Sequence, residues 1–179
     1  AHQAVQEYVD DMVQLFPYKA SSHKAEQIIH WAHLAEQGEN SISNLTEAEY
    51  AQLLLSIARS CQNKIIILSH VLSHLDDVFF ERAIELSDDY IKNNSTLVLI
   101  DNDIDKISET TNYITWVSHG QIRKEGSLNQ VLPIFKEHEK DRKSLDSKSQ
   151  QENFDLDWKK SRTRMPEMTY NFKILYRYN

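Results

Sequence analysis

Two short apolar runs organise the middle of the chain. Ile65, Ile66, Ile67 and Leu68 lead without alternation into the polar pair Ser69 and His70, and Leu97, Val98, Leu99 and Ile100 lead in the same way into Asp101 and Asn102. Unalternating runs of this length predict strands buried on both faces. Between them Val78, Phe79, Ala83, Ile84, Leu86, Tyr90 and Ile91 recur at helical spacing, with Asp76 or Asp77 placed to cap the helix and Asn93 and Asn94 to end it. Strand, helix and strand make a parallel βαβ unit. Ligands of open α/β sheets bind just past the carboxyl ends of the strands, so residues 69–70 and 101–102 are where chemistry is expected.

Helices precede this unit. An amphipathic segment with Val5, Val9, Met12 and Phe16 runs to Tyr18, with Pro17 as its stop. Ser21 and Ser22 open a second helix through Ile28, Ile29, Trp31 and Leu34, with Gly38 as its C-terminal stop. Thr46 and Glu49 form a T-x-x-E capping box before a third, carrying Leu53, Leu54, Ile57 and Ala58 and ending near Cys61, where Asn63 turns the chain. Beyond the second strand, Ile104 and Ile107 suggest a short helix. YITWV and QIRKE about Ser118–Gly120 then read as a hairpin, and Ser127 caps a last amphipathic helix. The fold class expected is α/β, a parallel sheet with flanking helices, an N-terminal helical part and a closing β-hairpin. The expected segments are 1–62, helical; 63–137, the α/β core; and 138–179, a charged linker followed by a tail with Phe154, Trp158, Tyr170, Phe172, Tyr176 and Tyr178 among basic residues.

Composition narrows the function. The chain has 179 residues, 26% of them charged and 40% hydrophobic, and a net charge of −7. It suits one domain or one domain with a tail, and the negative charge argues against a nucleic-acid partner. No apolar run approaches the ~20 residues of a membrane span, no signal peptide is visible, and a cytoplasmic setting is expected. A single cysteine, Cys61, excludes an internal disulfide and a cysteine metal site; it reads as core packing. Only three glycines occur, Gly38, Gly120 and Gly126, so the chain has no phosphate-cradling loop of its own.

Two constellations carry candidate chemistry. His70 and His74, four apart, would share a helix face and could bind a metal, but the strand has only just ended at His70, so loop histidines are expected and no metal site. Asp101 and Asp103, at the end of LVLIDNDID, resemble the D-x-D start of Mg²⁺-dependent phosphotransferases, with Asp101 as nucleophile and Asp103 as general acid/base. The alternative is carboxylates capping the short helix that follows. An EF-hand loop is excluded because Lys106 stands where its glycine belongs.

Taken together, AEQIIHWAHLAEQ, LTEAEYAQLLLSIARS, KIIILSHVLSHLDD, STLVLIDNDIDKI and YITWVSHGQIRKEGSLNQVL resemble the C-terminal half of an ATP-binding cassette ATPase domain, a P-loop NTPase fold. The ATPase subunits of teichoic-acid and polysaccharide exporters are the nearest kind, and the likeness runs from about Ala25 to Phe135. It implies a signature loop at Thr46, Glu47 and Ala48, a Walker B strand ending at Ser69 and His70, a D-loop bearing Ser73 and Asp76, and a switch position at Asn102. The family has an Asp and a Glu where Ser69 and His70 stand, a His where Asn102 stands, and Ser and Gly N–H groups where Glu47 and Ala48 stand. A cassette that has lost these groups is expected not to hydrolyse ATP by its own residues. ATP and Mg²⁺ would be bound only with a P-loop supplied upstream or by a partner. The partners implied are a membrane subunit and a second ATPase domain paired through Leu72–Asp76, at the inner face of the cell membrane. A protein-interaction module that kept the fold is a further alternative.

Overall fold

The computed structural model describes residues 3–162, with side chains described for 3–157. These residues form two compact units, one through Tyr113 and one from Ile114. The tail aromatics Trp158, Tyr170, Phe172, Tyr176 and Tyr178 lie outside the described side chains.

The first unit is built around α3 (Glu47–Cys61). Thr46 Oγ1 accepts the Glu49 N–H at 3.2 Å, and the Glu49 carboxylate accepts the Thr46 N–H at 2.8 Å, so the capping box forms as read. Such a cap contributes about 1 kcal/mol. Apolar residues on both sides of α3 are buried, so the helix is shared by two cores. Leu53 and Ile57 pack with Val5 and Val9 of α1 (Val5–Gln14) and Ile28 and Ile29 of α2 (Lys24–Trp31). Ala51, Leu55 and Ala58 pack with Ile66 and Leu68 of β1 (Ile65–Ser69) and Phe79, Ala83 and Leu86 of α4 (Asp77–Lys92). Asp76 caps α4, its carboxylate accepting the Phe79 N–H at 2.8 Å.

Two helix ends differ from the expected ones. α1 stops at Gln14, three residues before Pro17. α2 stops at Trp31 rather than running to Gly38. His33 takes a left-handed backbone (φ 61°), its N–H donates to His30 O, and the Leu34 N–H reaches back to Ile29 O. This Schellman closure is sealed by contact between buried Ile29 and Leu34, so no glycine is needed. α3 ends at Cys61 as expected, and the left-handed residue that follows is Gln62 (φ 55°), one position before Asn63.

β1 pairs in parallel with β2 (Thr96–Ile100), with Ile65 opposite Thr96 and Ser69 opposite Ile100. The βαβ unit is therefore as read, but the expectation that both faces are buried is not met. Ile66 and Leu68 face the core, whereas Ile65 is 60% and Ile67 63% exposed. Across the register Val98 and Ile100 extend the same bare apolar face. The short α5 (Ile104–Thr110) follows, capped by Asp103.

In the second unit β3 (Tyr113–Ser118) and β4 (Gln121–Ser127) make the hairpin. His119 and Gly120 both have positive φ (50° and 71°), the two-residue turn whose twist matches the strands. Gly126 (φ 151°) takes a backbone conformation that L side chains rarely adopt, and an added Cβ, 2.6 Å from Gln130 Oε1, would push that flexible side chain aside. That oxygen accepts the Ser127 N–H at 3.1 Å and so caps α6 (Leu128–Lys143).

α7 (Lys148–Arg162) brings Phe154 and Asp155 against α6. The His138 ring lies between Trp116 (centroids 4.8 Å) and Phe154 (5.0 Å) and faces Asp155, which accepts from Arg142 Nε at 3.1 Å. Burial pushes the His138 pKa below the ordinary 6.5; Asp155 and Glu139 pull it up, while Arg123 and Arg142 push it down further. A lowered histidine pKa means that the unfolded state binds more protons. The unit is then most stable above about pH 6.5 and loses stability as pH falls through the folded value. An NMR titration of the His138 Cε1–H should give a midpoint below 6.5, and a midpoint above it would reverse the sign of this dependence.

Candidate functional site

The carboxyl ends of β1 and β2 lie side by side, as parallel pairing requires, and the residues expected to carry chemistry gather there. Ser69 ends β1 in register with Ile100. His70 follows in a left-handed conformation (φ 54°), its N–H donating to Ile100 O at 2.7 Å. A non-glycine residue at positive φ is uncommon, and this one sits where the chain leaves the sheet. A single 3-10 turn, Leu72–His74, then leads to Asp76 and α4. The i, i+4 geometry that would pair His70 with His74 on one helix face does not form. His74 Nδ1 instead lies 3.3 Å from the Glu47 carboxylate, which joins this turn to the start of α3. Gln52 of α3 donates to Asp76 Oδ2 at 3.3 Å.

Asp101 is turned into this junction. Its Oδ1 accepts the Asn102 and Asp103 N–H groups at 2.8 and 3.1 Å, and its Oδ2 accepts the Ser73 N–H and hydroxyl at 3.1 and 3.3 Å. Partial burial opposes its charge, but the N–H donors of Ser73, Asp103 and Asn102 outweigh burial and hold the carboxyl below its usual range. Asp103 Oδ1 accepts the Lys106 N–H at 3.1 Å, the capping role read as the alternative to catalysis. The DxD pair is thus engaged in backbone contacts. Among the described residues, no group of three or more His, Cys, Asp or Glu side chains is placed to hold a metal ion.

Thr46, Glu47 and Ala48 stand at the start of α3. The amide of Thr46 and its hydroxyl donate to the Glu49 carboxylate, each at 2.8 Å, and hold its pKa below the ordinary value. A helix N-terminus favours anions, and here the chain's own carboxylates supply them. One participant was missed in the sequence. Lys106 donates from Nζ to Leu72 O at 3.0 Å and Leu75 O at 2.6 Å and lies 5.3 Å from the Phe80 ring. Its being the single cation in DNDIDK was the available signal.

Ser69, His70, Ser73, Asp76, Asn102 and the start of α3 thus converge on one end of one parallel sheet. Comparison with solved structures finds a similar fold in an ATP-binding cassette determined as a dimer in a post-hydrolysis state with ADP and Pi. The TM-score is 0.57 at 16% identity, covering 70% of this chain and 57% of that one. An ATP-binding subunit of an ABC transporter matches equally, at TM-score 0.57 and 12% identity, covering 74% and 56%. The chain has the fold of a partial ATP-binding cassette ATPase domain. In sequence it is similar to the teichoic acids export ATP-binding protein TagH of Staphylococcus haemolyticus, 26% identical over 72% of this chain and 48% of that protein. TagH of Listeria monocytogenes is 23% identical over 62% and 33%. The O-antigen export system ATP-binding protein RfbB of Myxococcus xanthus is 19% identical over 64% and 26%. The chain spans at most about half the length of these relatives. No protein-family model matches it. Among the described residues, no helix of this cassette half is long and apolar enough to cross a membrane.

Proposed function

We propose that this chain is half of a cassette domain that serves an exporter of cell-wall polymer or surface polysaccharide as a structural or regulatory subunit, without hydrolysing ATP by its own residues. The observation that carries the reading is the set of side chains at the strand ends. Ser69 and His70 bring no carboxylate to the end of β1. Asp101, the carboxylate that follows β2, is engaged by Ser73, Asn102 and Asp103. This donor set does not suit Mg²⁺ and a triphosphate: Ser69 adds no charge, a protonated His70 would repel the metal, and Glu47 and Asp101 would repel phosphate. Nucleotide then depends on a P-loop supplied elsewhere. The bare face of Ile65, Ile67, Val98 and Ile100 supports a second step, that the remaining part of a cassette domain covers it.

By similarity to the TagH and RfbB proteins, its setting would be the cytoplasmic face of the membrane, beside a membrane subunit and a second ATPase domain, with no nucleic acid. Teichoic acid or a similar polymer would be the cargo of the whole assembly. The phosphotransferase reading is less well supported, because Asp101 and Asp103 face backbone N–H groups, and no separate observation favours a bare interaction module.

Phosphate release with Mg²⁺ tests the reading. Neither ATP nor a phosphomonoester should be turned over above the rate without protein. ATP turnover abolished by His70→Ala would refute a silent site, and ester turnover abolished by Asp101→Asn would restore the phosphotransferase.

A further inference from the structure

The sequence around Asp101 is acidic, and a lysine there would ordinarily be solvated or paired with a carboxylate. Lys106 is half-buried and turned toward backbone instead. Its ammonium is aimed at two carbonyl oxygens of the turn after β1, those of Leu72 and Leu75, and lies by the Phe80 ring. From the β2 side Asp101 Oδ2 takes the Ser73 N–H and hydroxyl. α3 adds Glu47 against His74 and Gln52 against Asp76. The turn is therefore held by a cation on its carbonyls and an anion on its amide, from α5 and from the end of β2. Hydrogen bonds with one charged partner are roughly twice as strong as neutral ones.

We propose that Asp101 and Lys106 are positioning residues that fix the Leu72–Leu75 turn in one shape without nucleotide. The surface the turn offers to a second ATPase domain is then preformed rather than switched by ATP. The lock itself stands on these contacts; only the identity of what the turn meets rests on the function proposed above. A fixed turn suits a subunit whose strand ends lack catalytic carboxylates, because nothing at its own site remains to be signalled.

Residue-resolved amide hydrogen exchange on the 179-residue chain tests the lock. The Ser73 amide should be protected in the unmodified chain, and adding Mg²⁺-ATP should leave its rate unchanged. Asp101→Ala and Lys106→Met should each speed Ser73 exchange by about tenfold, the loss of one charge-assisted contact. The Leu53 and Leu55 amides in α3 should keep their rates, which a general loss of stability would not allow. Exchange of Ser73 at the free-peptide rate in the unmodified chain would overturn the proposal whatever the variants do. Slowing by Mg²⁺-ATP, or indifference to both substitutions, would overturn it too. If protection is as expected and yet no second ATPase domain binds, the pairing has failed and the lock has not.

Discussion

Phe79→Ala is expected to cost the first unit about 3–5 kcal/mol, which lowers its melting temperature by on the order of 15–30 °C. Phe79 is 1% exposed and belongs to the core cluster that includes residues of α3, β1 and α4. Its ring meets the edge of Trp31 at 5.7 Å and His33 at 5.1 Å, and the Arg82 guanidinium lies 4.5 Å from its centroid. Arg82 also donates to Trp31 O at 3.0 Å, and its guanidinium and that of Arg59 lie 4.5 and 4.8 Å from the Trp31 ring. Removing the ring leaves a cavity bounded by groups that cannot all close on it, because Trp31 and Arg82 belong to different helices. Total stabilities are about 5–15 kcal/mol, so the loss is a large share of the whole. Val78→Ala, one position earlier and 56% exposed, should change stability by no more than about 0.5 kcal/mol. Thermal melts of the two variants side by side decide this. Similar losses would mean that α4 faces its core differently.

The contrast between neighbours shows which parts of the fold could be read in advance. The helical period identified α4, and the capping signals at Thr46, Asp76 and Ser127 sit at helix starts as read, because a cap is a local interaction between residues close in sequence. The end of α3 near Cys61 was legible, but the left-handed residues that close α2 and α3, His33 and Gln62, were not. A left-handed histidine or glutamine has no compositional signature and is tolerated because the rest of the closure, Ile29 on Leu34 for α2, is satisfied. The site divides in the same way. Ser69, His70, Asp101 and Asn102 were found because strand ends are fixed by the apolar runs. Lys106 was not: its being the single cation in DNDIDK marks it, but does not say that its ammonium reaches carbonyls 31 and 34 positions away. The bare face was misread for a further reason. An unalternating run signals burial on both faces, and among the described residues only one face of β1 is covered.

That misreading gives the other large effect. Ile67→Lys should leave the chain's own stability within about 0.5 kcal/mol of the original, since the side chain is 63% exposed and loses little packing. The same change should cut binding of a separately produced remainder of the cassette domain by on the order of a thousandfold. An unpaired ammonium buried in an apolar interface costs several kcal/mol, and each 1.4 kcal/mol is tenfold in affinity. Leu15→Lys, at an apolar position 74% exposed outside the sheet, should leave binding intact. Mixing labelled 179-residue chain with that remainder and following complex formation by anisotropy separates the cases. If Ile67→Lys binds as tightly as the original, the face is not where the cassette closes. If it melts as early as Phe79→Ala, the face is already covered within the chain. If it folds normally and fails to bind, Ile65, Ile67, Val98 and Ile100 are the buried layer of a larger sheet. Their unalternating pattern is then explained by burial that only the completed domain supplies.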